Sequence, residues 1–496
     1  MKRYFLPAFI MFMSPQMFAQ TVSDVLKYSY LRPSGTARYL GTGGAMGALG
    51  ADFSTASSNP AGLALFRSNE LTITPGLKFA RTDASLPDNV NFEDDKSAFG
   101  FDNIGLVFNT TPRASRWKTF NVGIGFNRQN NYNQSIFYQG DAEGTIVNGF
   151  YNEIQQTIAN GGTENDFDGF GAGLAWATGA VYDPIPFPED DILEATYDFI
   201  GNEEANIGRS QTLTTFGGMN EMVLSFAGNY DEKLMIGATI GVPFVNYRLE
   251  GEYQESDPTD QVGSFDNLTY TEYLRTEGIG INLKLGAIYK IDQMFRLGVA
   301  FHTPTALGLT DNFSNTFTYY YTVNGISYGG EPALSPDGTF DYKLRTPWRA
   351  IASAGVILRK YGFISADVEW VDYSANRYNL TSNAPTTDDE LYERQLNTGI
   401  GRAFQQTMNI RLGGELALDQ FRLRAGVNLN GKPEQDADGF NTSFTLGAGV
   451  HTGAFFLDLG YRRSTGTGSV TPYFSAPTAV TDNVSNDIAL TLGFKF

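Results

Sequence analysis

The sequence predicts an all-β chain, a membrane-spanning antiparallel up-and-down β-barrel of about 14 strands with an N-terminal hatch (plug) domain. Three observations carry this. Side chains alternate between apolar and polar over many short segments, the connections between segments alternate short and long, and the chain ends on a strand closed by Phe496.

The last segment shows the period most cleanly. Ile488, Leu490, Leu492, Phe494 and Phe496 share one face, while Asp487, Ala489, Thr491, Gly493 and Lys495 share the other. A period of two with a single apolar face places one side against lipid or core and the other against something polar. Val122, Ile124 and Phe126 alternate in the same way with Gly123, Gly125 and Asn127. So do Ile279, Ile281, Leu283 and Leu285 with Gly280, Asn282, Lys284 and Gly286. Further on, Phe421, Leu423, Ala425 and Val427 alternate with Arg422, Arg424, Gly426 and Asn428, and Phe455, Leu457, Leu459 and Tyr461 with Phe456, Asp458, Gly460 and Arg462. Charges keep to the polar face, because Arg or Lys against mid-bilayer lipid costs about 2–4 kcal/mol.

The connections supply the count. Short turns are expected near Thr111–Arg116, Tyr230–Lys233, Ile291–Gln293, Arg359–Gly362, Leu418–Gln420 and His451–Ala454. Longer polar stretches separate them, at Ser85–Ala98, Gly140–Phe216, Gln254–Thr269, Val323–Asp337, Asn379–Gly401, Gly431–Gly439 and Thr467–Val484. Six short and seven long connections imply roughly 14 strands with both chain ends of the barrel on one side. A soluble β-sandwich has many strands too, but no reason to alternate its loop lengths.

Residues 1–19 read as a signal peptide: Lys2 and Arg3, an apolar run from Tyr4 to Met13, a polar stretch, and a small residue at Ala19. Residues 20–68 are expected to be the hatch and 69–496 the barrel, with a large extracellular insertion at 140–216. The hatch is dense in glycine and alanine from Gly41 to Gly50 and again in Ser57–Gly62, which permits close backbone approach. As a phosphate loop the run fails, since no strand precedes it and the third glycine is missing. Within the insertion, Val147, Phe150, Tyr151, Ile154 and Ile158 have helical spacing, and Phe170–Val181 is small and apolar. These pieces are expected to cap the barrel or form a capture lip.

Composition excludes several classes. A net charge of -19 repels nucleic acid. No run approaches the ~20 apolar residues of a spanning helix. With no cysteine and only His302 and His451, neither a lipid anchor, a disulfide framework nor a zinc site is expected, and no cofactor. Gly325–Gly329 matches G-x-S-x-G around Ser327, but a nucleophile elbow needs a strand–turn–helix, and this stretch lies in a predicted outer loop. The expectation is that the chain is not an enzyme. Asp436-Ala-Asp438-Gly439 lacks the closing Glu of a calcium loop and reads as a turn. On the lumen face, Lys284, Arg296, Asp367, Glu369, Arg411, Glu415, Arg422, Arg424, Asp458 and Arg462 are of mixed sign and suggest a network tying barrel to hatch.

The chain also resembles the FadL/TodX/OmpP1 family of outer-membrane transporters, in the form found in Bacteroidota. The resemblance rests on Asn59-Pro60-Ala61, on the Gly43–Gly50 run before it, and on Ile240–Pro243, Thr303–Thr305, Thr346–Trp348 and Asp367–Tyr373. It implies a 14-stranded barrel with a hatch and passive, ligand-gated uptake of hydrophobic small molecules such as long-chain fatty acids. It further implies lateral exit at a kinked third strand, for which Gly123 and Gly125 are the candidate positions. The expected surroundings are outer-membrane lipid and lipopolysaccharide, with barrel assembly machinery reading the terminal Phe, and a monomer is expected. Two other functions stay open: a docking or shuttle barrel of a type IX secretion system, and a general porin.

Overall fold

A computed structural model describes residues 21–183, 194–195, 206–259, 261–380, 387–473 and 476–496. The signal peptide expected over 1–19 lies outside them, as does part of the 140–216 insertion.

Fourteen antiparallel wall strands close into a barrel. They are β1 (Glu70–Ser85), β2 (Phe92–Thr110), β3 (Trp117–Asn131, resuming at Gln134–Glu143), β4 (Asn206–Tyr230), β5 (Leu234–Ser256) and β6 (Phe265–Lys290). Then come β7 (Phe295–His302 and Ala306–Val323), β8 (Gly338–Arg345 and Arg349–Ile357), β9 (Gly362–Asp372 and Arg377–Asn379) and β10 (Gln406–Leu418). The wall is completed by β11 (Phe421–Gly431), β12 (Phe440–Thr452), β13 (Phe455–Val470) and β14 (Ala479–Lys495), whose residues pair with β1 from Glu70↔Lys495 to Ser85↔Val480. All six short turns fall where the alternation places them.

The period of two sorts the wall. Outward positions such as Phe99, Ile124, Ile281, Leu423, Leu457 and Leu492 are exposed, and together they form the apolar belt of a membrane barrel. No described helix is long and apolar enough to cross a membrane. Proline marks wall interruptions. Thr303–Thr305 breaks β7 and Thr346–Trp348 breaks β8, and the two breaks meet, with Thr346 N–H donating to Thr305 O at 3.0 Å. Pro304 and Pro347 have no N–H for a ladder, so hydroxyls and neighbouring amides take over.

Residues 21–69 precede the wall and lie inside it. They include α1 (Val25–Ser29), α2 (Ala37–Gly41) and a 3-10 turn at Pro60–Leu65. From Ser34 to Phe66 the segment is almost wholly buried. It is held by long-range hydrogen bonds: Ala37 N–H to Thr491 Oγ1 (2.7 Å), Gly47 N–H to Asp367 Oδ2 (3.1 Å) and Thr119 Oγ1 to Ala64 O (2.8 Å).

Most of the expected lumen charges are paired. Glu369 holds Arg349 and, at 2.6 Å, Arg411. Glu415 bridges Arg38 of α2 (3.1 Å) and Arg424 (2.7 Å), and Arg424 continues to Asp458 (2.7 Å). Lys284 pairs with Glu221, and Arg462 with Asp487. Arg296 instead donates to Leu49 O of the inner segment. Arg422 departs from the expected network: it lies next to a short turn and donates to Asp419 O.

Candidate functional site: an opening at the third strand

β2 and β3 begin as partners, from Thr110↔Phe120 to Asn103↔Asn127, and then separate. Each strand carries an irregularity at that point. In β2 the register against β1 slips between Thr74 and Pro75, leaving Asp102 as an extra residue. In β3 it slips against β4 between Arg128 and Asn130, leaving Gln129 extra. Bulges of this kind bend a strand and end its pairing. Beyond a break at 132–133, the outer half of β3 pairs only with β4. It leans inward over the inner faces of β1 and β14, where Gln134 Nε2 donates to Thr82 Oγ1 (3.1 Å) and Asn483 Oδ1 (2.6 Å). Among the described residues, Phe92–Asp102 therefore form a ladder with β1 alone; on their other side the backbone ladder is missing and side chains span the gap, Phe92 against Phe137 at 5.2 Å and Lys96 over the Phe216 ring at 3.5 Å.

Edge groups left without a ladder need other partners. The inner segment supplies them. Arg32 N–H donates to Gln129 O (3.1 Å) and Ser34 N–H to Arg128 O (3.0 Å), as a short extra strand would. Asn130 Nδ2 reaches Lys27 O and Tyr30 O (both 3.2 Å), and Tyr132 Oη donates to Lys27 O (2.8 Å). Asp102 sits with Lys78 at 3.2 Å and Arg128 at 3.5 Å.

Three environments adjoin the opening. Toward the outer face, α1 packs with α5 (Thr387–Ala403) in an apolar cluster rich in tyrosine, including Tyr28, Tyr132, Tyr247, Tyr342 and Tyr378. Between the inner segment and β1, β13 and β14 lies a cavity of about 450 Å³ that reaches the break in β3. Deeper in the lumen is a cavity of about 60 Å³, lined by Glu221, Lys284, Arg349, Glu369 and Arg411. Leu31, Pro33, Met219 and Pro243 share its wall with these charged groups, and it has room for a few waters.

The residues singled out from sequence fall on both sides of this picture. Asn59 Nδ2 donates to Gly47 O (2.7 Å), and Asn59 Oδ1 accepts from Ala61 N–H (3.2 Å), capping the Pro60–Leu65 turn. Pro60 and Ala61 lie on Gly237 of β5, where any Cβ would strike their backbone. Asn59-Pro60-Ala61 is thus a packing motif between inner segment and wall. Gly123 and Gly125 lie in unbroken ladder, paired with Val107 and Gly105. A Cβ on Gly125 would come within 2.7 Å of the Phe53 ring, and one on Gly123 within 3.1 Å of Leu63. Both glycines make room for the inner segment, and the kink falls further along, at 132–133. The available sequence signal was the amide-rich run Asn127–Gln134, unusual inside a strand. Ser327 lies in a two-stranded hairpin, its hydroxyl 3.0 Å from Thr322 Oγ1. His302 bonds Ser58 O and His451 bonds Asp458, so neither is its partner.

The described part of the large insertion packs as a cap. Its helices α3 (Ile146–Ala159) and α4 (Ala172–Ala177) bury Ile146, Ile154 and Leu174 against Tyr253, Phe265 and Phe317 on the outer extensions of β5, β6 and β7. Burial pushes the Glu153 carboxyl up to about 7 from an ordinary 4.5, helped by Asp168. The packed cap therefore holds a proton that a loosened cap releases. Its stability is full below about pH 4.5 and falls as pH rises through 7. Amide hydrogen exchange across α3, corrected for intrinsic rate, is expected to quicken between about pH 5 and pH 8. Glu153→Gln should remove that dependence; an unchanged pH profile in the variant would refute the assignment.

No protein-family model and no curated protein sequence matches the chain. Solved structures do. The fold is similar to that of a Pseudomonas aeruginosa FadL homologue (14% identity, 94% of this chain and 99% of that one covered, TM-score 0.52). It is similar to the Ralstonia pickettii toluene transporter TbuX (13% identity, 93% and 98% covered, TM-score 0.50). The P. putida toluene transporter TodX matches over the same shares at 11% identity and TM-score 0.50. Identities this low speak to architecture alone, and by its architecture the chain is a 14-stranded β-barrel with the FadL-type fold.

Proposed function

We propose that this chain is an outer-membrane channel for passive, ligand-gated uptake of hydrophobic small molecules, long-chain fatty acids among them. In this reading residues 20–68 act as the hatch, and solute leaves sideways between β2 and β3. The opening in the wall carries the reading. A solute that has entered the tyrosine-rich cluster meets two routes. Straight down lies the ionic lumen, where apolar surface replaces nothing favourable and the charges lose water. Sideways lies hydrocarbon, worth about 25 cal/mol for each Å² of apolar surface kept from water. The second route wins for any solute without charge. The toluene transporters with this fold support the same solute class.

The test is to fill the opening without touching the ladder. Gly100 lies on the free stretch of β2, and a Cβ there would meet the end of the Arg128 side chain across the gap. Gly100→Trp is expected to cut uptake of radiolabelled oleate and toluene by roughly ten-fold while the barrel still shows heat-modifiable migration. Wild-type uptake by the filled variant would end the lateral-exit reading.

A further inference from the structure

The outside of the wall changes character along β8 and β9. Trp348 and Trp370 are both exposed there, and Phe301 of β7 stacks on Trp348 with ring centres 4.9 Å apart. Toward the short turns the outward positions are apolar, with Ile364 and Val368 of β9 exposed. Toward the long connections they turn cationic within a few residues. Lys343 and Arg345 of β8 and Arg377 of β9 are all exposed, while Tyr342, Leu344 and Tyr378 between them point into the tyrosine-rich cluster. Tryptophans at such a boundary mark the edge of the hydrocarbon, so the three cations stand at head-group height.

These charges are set against one another. Arg345 lies directly opposite Arg377 in the ladder, and Lys343 shares their face two residues along β8. Like charges directly opposite, with side chains about 5 Å apart, destabilise a strand pair. Among the described residues Lys343, Arg345 and Arg377 form no ion pair that would relieve them. Asp341, on the same face of β8, accepts instead from Thr310 Oγ1 at 2.5 Å. Arg81, Arg248 and Arg275 also face out on the outer halves of their strands, yet each has a carboxylate within 3.3 Å. The guanidinium of Arg377 is held in place but not neutralised, its Nη1 donating to Ser374 O and Asn376 O, both at 2.6 Å. Beside the cations the wall is bare. Ala306 and Gly308 of β7 stand opposite Arg345 and Lys343, and a Cβ on Gly308 would meet nothing closer than 4.0 Å.

We propose that this face binds a phosphorylated lipid of the outer leaflet, its phosphate bridging Arg345 and Arg377 and its chains lying over Trp348, Trp370 and Phe301. A phosphate accepts from two guanidiniums at once and replaces their repulsion with charged hydrogen bonds. Lys343 adds a third positive charge, and the trough over Ala306 and Gly308 gives the rest of the head group room. The apolar surface beneath selects a lipid over the free anion, because only the lipid covers it. The site rests on the membrane setting of the proposed function and is independent of uptake.

Brominated acyl chains quench tryptophan on contact, so Trp348 and Trp370 report which lipid lies over them. The full mature chain carrying Trp117→Phe, which removes a tryptophan at the opposite rim, would be refolded into dioleoylphosphatidylcholine vesicles. The vesicles would contain brominated phosphatidate or, in parallel, brominated phosphatidylcholine. Phosphatidate is expected to be preferred by about five- to ten-fold. Replacing both arginines, Arg345→Gln with Arg377→Gln, should abolish the preference, and Gly308→Leu, which fills the trough, should lower it with the cations intact. Arg248→Gln, which removes a cation already paired with Glu250, should leave it unchanged. Added inorganic phosphate should leave it unchanged too; loss of the preference to the free ion would reassign the site to a soluble anion. Quenching by both lipids without preference, or a preference that survives in the double variant, would overturn the site and leave the membrane reading standing. Quenching by neither lipid would end both.

Discussion

Removing residues 21–66 is expected to raise conductance in planar bilayers by roughly ten-fold or more, because a barrel of this strand number is too wide for its own side chains to fill. What fills it is the inner segment. α2 lies against β12, β13 and β14, where Thr445 Oγ1 donates to Gly41 O, and the Pro60–Leu65 turn lies against β4, β5 and β6. Deletion also leaves Glu415 without Arg38 and Arg462 without Pro33 O. Those groups then face water instead of burial, so the barrel is expected to survive as a hydrated pore. Conductance equal to wild type, from protein that still shows heat-modifiable migration, would show that the inner segment is not the plug.

The second large effect concerns stability. Glu369 is one carboxylate serving two guanidiniums, and all three groups are buried. Arg349 also donates to Ser29 O at the end of α1, so the cluster ties the wall to the inner segment. Glu369→Gln leaves two buried cations without an anion and is expected to cost about 3–5 kcal/mol, read as a lower urea midpoint in lipid vesicles. The exposed pair of Arg67 and Glu232, only 2.6 Å apart, should by contrast contribute under about 1 kcal/mol, because water screens it. If Glu232→Gln proved as damaging as Glu369→Gln, burial would not be the deciding variable. Replacing Glu369, Arg349 and Arg411 together by apolar residues should cost less than Glu369→Gln alone, since no charge is then stranded.

Much of this architecture was legible along the chain. The alternation around Ile488–Phe496 and Ile279–Leu285 assigned the lipid-facing side chains correctly, because a strand turns each successive residue to the opposite face. Turn lengths set the strand count for an equally local reason. The Asn59-Pro60-Ala61 motif was visible, and so was its place before the first strand. The site was less legible. Gly123 and Gly125 look like hinge residues when read locally, yet they are small because Phe53 and Leu63 press on them from a segment far away in sequence. The real break at 132–133 depends on whether Arg128 and Gln129 find partners other than β2, and those partners are Ser34 and Arg32.

Local order in the amino acids decided which face of every strand meets hydrocarbon, how many strands there are, and where the chain must turn. A two-residue repeat and a turn are short-range properties, and neighbours alone enforce them. Where the ladder parts, and what lies within the wall, were settled only by folding. Each depends on contacts between residues distant in the chain, and a linear pattern holds no record of which ones will meet.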